Sequence, residues 1–576
     1  MYWLDLETKS QCNLITSGLM AYAIDPTTRI ICMSYALDDG EIKTWFPEDE
    51  PAFPKDVEEY INKGGLLTAH NAQFERYLFD YVIANDFNIK APALTQWHCS
   101  SARAMAHGLP GSLSDICKAM QMPLQKQSEG RRLIRDYCAP DFKTDWVNDD
   151  KQLMQDYCEM DVATMRQFCS CLRELSPAEW EQYHATERMN TRGVPIDLPF
   201  VTAALNYSIE VKADVDNKII KLTDGDVKNA RARKARDEWL MPLLTETQRK
   251  LLIVNKNGVE KTSLDKEHQN YLLACDDLHP KAEKLLMLLA DAGGSASSKF
   301  KAMSNKQVDS RVFNSMVFSG AGATGRFSSR DTQFQNMVRN VFDDPEPLIN
   351  DVLNNRPIEN PADSLGRLTR SAITSSEGLT YSDYSQIEAR VLPWLAKSAE
   401  AEKTLDIFRD GRDLYSENAV GMFGLRDISE VTKDLRQSSK TATLACGFAG
   451  GYRALLAMAK IYGLTMSEED ARDNVAKWRA ANPWAEPLWY GLKDAGHDAV
   501  KYPNQVMTHG RISFLYDGAD WLWMMLPSGR CLSYFKPKFE LVTYPWGDEG
   551  YELTFLWGSG RPKAGEPWPR QTVSPI

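Results

Sequence analysis

Tyr381-Ser382-Asp383-Tyr384-Ser385-Gln386-Ile387-Glu388-Ala389-Arg390 is the stretch on which the reading of this chain turns. Apolar Ile373 and Leu379 lie ahead of it. The pattern predicts a strand that ends at Asp383 and turns into a helix. Such a turn aims the Asp383 carboxylate and nearby backbone groups at one point, where a metal-bound triphosphate would fit. The plainer account is a strand–helix junction with Asp-Tyr-Ser as its cap. The stretch alone does not separate the two.

Downstream, Arg436, Lys440, Leu444 and Phe448 recur every four residues. On an α-helix they form one stripe that drifts about 40° per step. The stripe begins cationic and ends apolar. That order suits a nucleoside triphosphate, with phosphates on the basic side chains and base and sugar on the apolar ones. The helix N-terminus adds its own attraction for anions. An amphipathic surface helix with two basic residues has the same spacing.

A second constellation lies near the start of the chain. Asp5 and Glu7 stand two apart on a predicted strand, so both point to one face. In a chain with 79 acidic residues such a pair identifies nothing by itself. His70-Asn71-Ala72-Gln73-Phe74-Glu75 follows a predicted strand and opens a helix. Tyr157 and Asp161 fall one helical turn apart on one face. Two-metal phosphodiester hydrolysis needs several carboxylate oxygens around two Mg²⁺ ions and a group that orients the attacking water. Asp5, Glu7, Glu75 and Asp161 can supply the first and Tyr157 the second.

The rest of the chain sets the frame. Its 576 residues predict three or four domains of an ordinary soluble protein, with 43% hydrophobic and 25% charged residues. No run of about 20 apolar residues suggests a membrane span. Met1-Tyr2-Trp3-Leu4-Asp5 carries no basic leader or signal core, so the expectation is a cytoplasmic protein. The 11 cysteines make no CxxC pair, which predicts free thiols in a reducing compartment. The net charge of -12 disfavours a whole-surface nucleic-acid binder but leaves room for a basic cleft. Residues 1–46 read as strands, with a turn at Asp38-Asp39-Gly40. Long helical patterns run from Ser176-Pro177 to about residue 305 and include a basic run from Lys228 to Arg236, read as a solvated helix face or a strip for phosphates. Strand-like and helical segments then alternate to about residue 500, and the tail from Gly558 reads as loop.

The first-third segments around Asp5/Glu7, Glu75 and Tyr157/Asp161 resemble the three motifs of the DnaQ-like 3'→5' exonucleases. That resemblance implies an RNase H-like fold, with Asp5, Glu7 and Asp161 as metal ligands and Tyr157 placing the water. Glu75 departs from the pattern, which usually has Asp, and is retained as a ligand. The stretches around Asp383 and Arg436 resemble motifs A and B of family A DNA polymerases, closest to phage and bacterial relatives of DNA polymerase I. Thr324-Gly325-Arg326-Phe327-Ser328-Ser329 with Gln335-Asn336 is similar to the primer-template segment of that family, and Asp413-Leu414-Tyr415 to the start of a fingers helix.

By that resemblance Asp383 is a metal-binding catalytic carboxylate, and Tyr384 offers its carbonyl. Glu388 is a steric gate against the ribose 2'-hydroxyl. Arg436 and Lys440 grip the triphosphate, and Lys440 can protonate the leaving pyrophosphate. Gln386, Leu444 and Phe448 border the incoming nucleotide. Arg326, Gln335, Asn336 and Arg390 face DNA. The expected architecture is α/β and α+β multidomain: an RNase H-like exonuclease over 1–175, a helical connector and thumb over 176–310, and an incomplete palm with fingers over 311–576. The expected cofactor is Mg²⁺, with Mn²⁺ as an alternative. The expected partners are primer-template DNA, dNTPs and a single-stranded DNA 3' end.

One family feature is not found. None of the eight histidines is followed by the Asp-Glu that would supply a second polymerase carboxylate. Asp548, in Gly547-Asp548-Glu549-Gly550, is the nearest candidate and reads as a hairpin turn. The expectation is that a separate C-terminal polymerase fragment completes the palm. A truncated chain, or an exonuclease whose polymerase body only binds DNA, accounts for the sequence as well.

Overall fold

The computed structural model describes residues 1–122, 130–256, 259–275, 277–292, 296–322, 324–380, 382–543, 547–556 and 570–573. None of the described helices is long and apolar enough to cross a membrane.

The first unit is built on a five-stranded mixed sheet. Its strands are β1 (Tyr2–Lys9), β2 (Arg29–Leu37), β3 (Lys43–Trp45), β4 (Leu67–Ala69) and β5 (Trp97–Cys99), in the order β3-β2-β1-β4-β5. β1 runs antiparallel to β2 and parallel to β4. Asp38 takes the left-handed conformation in the β2–β3 turn, at the Asp-Asp-Gly that marks it in the sequence. Residues 1–46 are not all strand, as expected from the sequence. Two short helices, Leu14–Ser17 and Leu19–Ile24, interrupt them, the first capped by Asn13, whose side chain accepts from the backbone N–H of Ile15 and Thr16. Helix α1 (Gln73–Leu78) leaves β4 through Asn71, and the long helix α2 (Asp150–Ser170) packs across β1 and β2.

Helix α3 (Pro177–Arg192) begins with Pro at its first turn and a reciprocal cap between Ser176 and Glu179. Trp180 and Tyr183 on α3 enter the core formed by Leu4, Leu67 and Trp97. Helix α4 (Leu198–Leu222) then carries a helical body with Pro280–Ala292 and Ala296–Lys306. The basic run only becomes helical at Arg233; Lys228, Arg231, Arg233 and Lys234 are exposed.

A hairpin of β6 (Met316–Ala321) and β7 (Arg326–Ser329) forms a separate two-stranded sheet and sends Phe318 into the core of the first unit. From Glu346 to Lys501 every described element is helical, where the sequence suggested alternating strands. The helices relevant to the second constellation are α5 (Ile387–Ala396), α6 (Leu414–Phe423), α7 (Lys433–Cys446), α8 (Glu468–Ala481) and α9 (Ala485–Lys501). Their core is Trp478, Trp484, Leu488 and Trp489 against Ala442 and Cys446.

The chain then forms a six-stranded antiparallel meander: β8 (Met507–His509), β9 (Ile512–Tyr516), β10 (Trp521–Met525), β11 (Cys531–Thr543), β12 (Glu549–Leu556) and β13 (Arg570–Thr572). Glu549 pairs with Thr543 in register, so Asp548 sits at a hairpin end. One side of the meander joins the helical core through Phe514 and Leu522, and Trp521 and Phe535 join Trp3, Val162 and Phe168 of the first unit. Tail residues 558–569 and 574–576 lie outside the described residues.

The strand expected to end at Asp383 is not formed. Residues 382–386 carry no strand, and Tyr381 lies outside the described residues. A strand needs a neighbour to satisfy its N–H and C=O groups, and the nearest pairing is an isolated bridge between Ile196 and Ile373.

Candidate functional site

β1 alternates, so Asp5 and Glu7 project to one face, opposite Ser34 and Cys32 of β2. α1 supplies Glu75 and α2 supplies Tyr157 and Asp161. All five line one cavity of about 680 Å³. Asp5, Glu75, Tyr157 and Asp161 are buried, and Glu7 is half-buried. The geometry thus unites three sequence segments that lie far apart in the chain.

The electrostatics of the cavity are adverse for acids. Burial pushes the Glu75 carboxyl well above the ordinary range, and the charges of Glu7 and Asp161 push it the same way, against one backbone hydrogen bond. Glu75 Oε2 is buried and has no hydrogen-bond partner among the described residues. A buried oxygen left in this way, beside further carboxylates, fits a cation as its missing partner. Among the described residues no three His, Cys, Asp or Glu side chains stand in a ready ligating arrangement.

Thiols lie directly behind the carboxylates. Cys158 donates to Asp5 Oδ2 at 3.3 Å and to the Asp5 carbonyl at 3.4 Å, and Cys138 reaches Glu7 Oε2 at 3.8 Å. Burial pushes the Cys158 thiol well above its ordinary range, so it stays a donor. In the sequence these cysteines carry no signal of a role beyond the position of Cys158 beside Tyr157 on α2. Gly130 matters for a different reason. A Cβ there would lie 2.1 Å from the Tyr157 ring.

The cavity is tied to α3 and to the β6–β7 hairpin. Glu187 accepts from Gln73 at 3.0 Å, Arg76 at 3.1 Å and Asn190 at 3.1 Å. The Arg76–Glu187 pair is buried on both sides. Glu187 and Arg76 are thus a structural pair at the back of the site, where breaking one partner strands the other's charge.

The second constellation is more open. Asp383 is exposed and Tyr384 is 81% exposed. Gln386, in the left-handed conformation, precedes α5. Gln386, Glu388, Leu444 and Phe448 border one narrow crevice with Tyr415; Asp383, Tyr384, Arg436 and Lys440 do not line it. α7 carries Arg436, Lys440 and Leu444 on successive turns but ends at Cys446, so Phe448 lies past the helix. Arg436 is held by both oxygens of Asp413, at 2.8 and 3.0 Å. Asp413 also caps α6 by accepting from Ser416 N. Burial pushes its carboxyl up, but the bonds from Arg436 and Ser416 outweigh this and hold it below the ordinary range. Lys440 lies 5.1 Å above the Tyr462 ring.

The side chains expected to face DNA are partly engaged within the chain. Arg326 pairs with Glu388 at 3.2 Å in an exposed position. Arg390 stacks 4.1 Å from the Phe408 ring centre and donates to the Ser385 carbonyl at 2.8 Å. Gln335 donates to the Ser328 carbonyl at 3.4 Å, and Asn336 to Gln333 at 3.3 Å.

The chain as a whole is similar to known proteins. Residues 215–483 match the model of DNA polymerase family A, a span that includes Asp383 and the Arg436–Phe448 stripe. The chain is 30% identical to the DNA polymerase of Bacillus phage SP02, over 98% of this chain and 86% of that one. It is 27% identical to the thermostable DNA polymerase I of Thermus filiformis over 50% of this chain and 32% of that one. Its fold is similar to the POL domain of Pol1 from M. smegmatis, solved in complex with DNA primer-template and dNTP. The TM-score is 0.52, with 16% identity, 92% of this chain and 77% of that one covered. With a phage DNA polymerase related along nearly its whole length, and the family's own pattern spanning its helical body, the chain belongs to DNA polymerase family A.

Proposed function

We propose that this chain is a phage-type, template-directed DNA polymerase with its own 3'→5' exonuclease, acting in the host cytoplasm. Residues 1–175 form the exonuclease, 176–310 the connector and thumb, and 311–576 the fingers with part of the palm. The observation that carries the exonuclease reading is the convergence of Asp5, Glu7, Glu75, Tyr157 and Asp161 on one cavity that holds a desolvated carboxylate. Folding alone gives no reason to gather four acids around a cavity.

When bound, divalent ions such as Mg²⁺ or Mn²⁺ supply positive charge at the attacked phosphodiester and activate water. Asp5, Glu7, Glu75 and Asp161 hold that charge in place. The Tyr157 hydroxyl orients the water that attacks phosphorus. The bond to the 3' oxygen breaks, a 5'-mononucleotide leaves, and the strand keeps a 3'-hydroxyl.

In synthesis, Arg436 and Lys440 bind the dNTP triphosphate, Arg436 by sharing or releasing Asp413. Glu388 stands where a ribose 2'-hydroxyl would fall, and Leu444 and Phe448 flank the nucleotide. Arg326, Gln335, Asn336 and Arg390 face the primer-template. The primer 3'-hydroxyl attacks the α-phosphate in line and pyrophosphate leaves, with Lys440 as its proton donor. Asp383 belongs to this site, and we assign the palm strands beside it to a second polypeptide. That assignment is supported by the exposed segment around Asp383, which has no strand partner among the described residues. The same exposure also favours an exonuclease whose polymerase body binds primer-template without synthesis. Co-expression with the neighbouring C-terminal fragment separates them: a complex that extends primers supports the split enzyme, and no complex and no synthesis removes it. For the exonuclease, Asp5→Ala is expected to slow Mg²⁺-dependent shortening of single-stranded DNA by roughly a hundredfold or more. Unchanged shortening would defeat the reading.

A further inference from the structure

The carboxylate cavity is not walled by the first 175 residues alone. Met316, Val317 and Phe318 of β6 form one side, and Arg330, just past β7, completes it. These residues belong to the segment otherwise read as part of the polymerase body.

The hairpin is fixed in this place. The Asn190 amide donates to the Met316 carbonyl at 3.0 Å, and its oxygen accepts from Met316 N at 2.9 Å. An amide that bonds both backbone groups of one residue does what a neighbouring strand would do. Asn190 is held in turn by Glu187, which also holds Gln73 and Arg76 on either side of Glu75. Phe318 is buried in the core that contains β1 and α3. The wall and the carboxylates therefore keep a set relation through buried, hydrogen-bonded groups.

Arg330 is the only Arg or Lys that lines the cavity among the described residues, whereas Asp5, Glu7, Glu75, Asp161 and Glu187 are acidic. Its backbone N–H is pinned to the Ser315 carbonyl at 2.9 Å. Its side chain is exposed and makes no hydrogen bond, ion pair or ring contact with a described residue. Arg326, in the same hairpin, is by contrast paired with Glu388. A polyanion entering a cavity lined with acids meets repulsion, and a guanidinium at the wall offsets it with a two-pronged grip on phosphate.

We propose that Arg330 binds a phosphate of the single-stranded 3' end, upstream of the bond being cut, so that the polymerase body supplies part of the exonuclease substrate site. The proposal rests on the exonuclease reading above. Its ligand is a single-stranded nucleic acid with at least two phosphodiester links, recognised by backbone charge and not by base.

The test uses the full chain with Arg330→Ala and Arg330→Lys. Two substrates are compared in Mg²⁺: a 5'-labelled single-stranded oligonucleotide, and the p-nitrophenyl ester of thymidine 5'-monophosphate, which has no upstream phosphate. Arg330→Ala is expected to raise KM for the oligonucleotide roughly five- to tenfold with kcat little changed, and to reduce the slope of log binding against log salt by about 0.7. Arg330→Lys recovers part of the loss, and ester hydrolysis is unchanged in both. An oligonucleotide KM and salt slope equal to wild type overturn the proposal while the exonuclease stands. An equal loss on both substrates also overturns it, because it marks a disturbed cavity. If the wild-type chain cleaves neither substrate, the exonuclease reading falls and takes the proposal with it.

Discussion

At the scale of single residues, the tightest constraint in the site belongs to a group with no chemistry of its own. Gly130 packs against the Tyr157 ring so closely that an added Cβ would fall within 2.1 Å of it. Gly130→Ala is therefore expected to displace Tyr157 and lower exonuclease kcat by about tenfold to a hundredfold, since a shift near 1 Å is costly to a positioned group. Oligonucleotide KM should change little, and steady-state kinetics would show an error here as a wild-type kcat. Cys158 gives a second prediction. Cys158→Ala removes the donor to Asp5 Oδ2 and should raise the Mg²⁺ concentration needed for half-maximal hydrolysis, with Cys158→Ser restoring most of it. A metal titration reads this directly, and an unchanged curve would show that the thiol is packing only. The pairing of Asp5 with Glu7 was legible in the sequence because strand alternation is local. The thiols behind them were not, because Cys138 and Cys158 meet the carboxylates only through tertiary packing.

At the scale of elements, α6 and α7 are locked by one residue. Asp413 caps α6 and clamps Arg436 of α7 with both oxygens. Asp413→Ala loses cap and clamp together and should cost about 1–2 kcal/mol in urea unfolding. Asp413→Asn keeps the capping oxygen and should cost less; equal losses would show that the ion pair is what counts. The four-residue spacing of Arg436, Lys440 and Leu444 told the helix correctly, because periodicity is a property of the segment. It overran at Phe448, because the helix closes at Gly447, whose N–H bonds the Thr443 carbonyl. The strand expected at Asp383 failed for a different reason. An extended apolar run becomes a strand only when another strand lies beside it, and neighbours are not written in the run itself.

At the scale of the whole molecule, the first unit is gripped at two faces, one with the buried His107 and the other with the half-buried His98. His107 donates to the Arg103 carbonyl and lies edge-on to Trp521 and Trp523 of β10. His98 stacks on Trp180 of α3 at 3.8 Å. Burial lowers His107 to about 3 and His98 to about 4. The unfolded or undocked chain binds protons at these sites near pH 6.5 and the folded chain does not. Stability is thus full above pH 6.5 and is lost as pH falls below it, by up to about 1.4 kcal/mol per unit for each histidine. Tryptophan fluorescence or limited proteolysis between pH 7.5 and 5 should report loosening of the β10 contact, and His107→Gln should flatten that dependence. The contact at Trp521 joins residues more than 400 positions apart and that at Trp180 residues about 80 apart, so no local sequence pattern announced them. This one chain is proposed to carry a working 3'→5' exonuclease on a polymerase body. That activity is tested most directly by incubating the purified 576-residue chain with a 5'-labelled primer-template and Mg²⁺, with and without dNTPs. Stepwise shortening from the 3' end is expected without dNTPs, abolished by Asp5→Ala, with no extension with dNTPs until the palm strands that we assign to a second polypeptide are supplied. A primer of unchanged length in the absence of dNTPs would contradict it, and extension by the chain alone would place the second carboxylate within it, with Asp548 the first residue to replace.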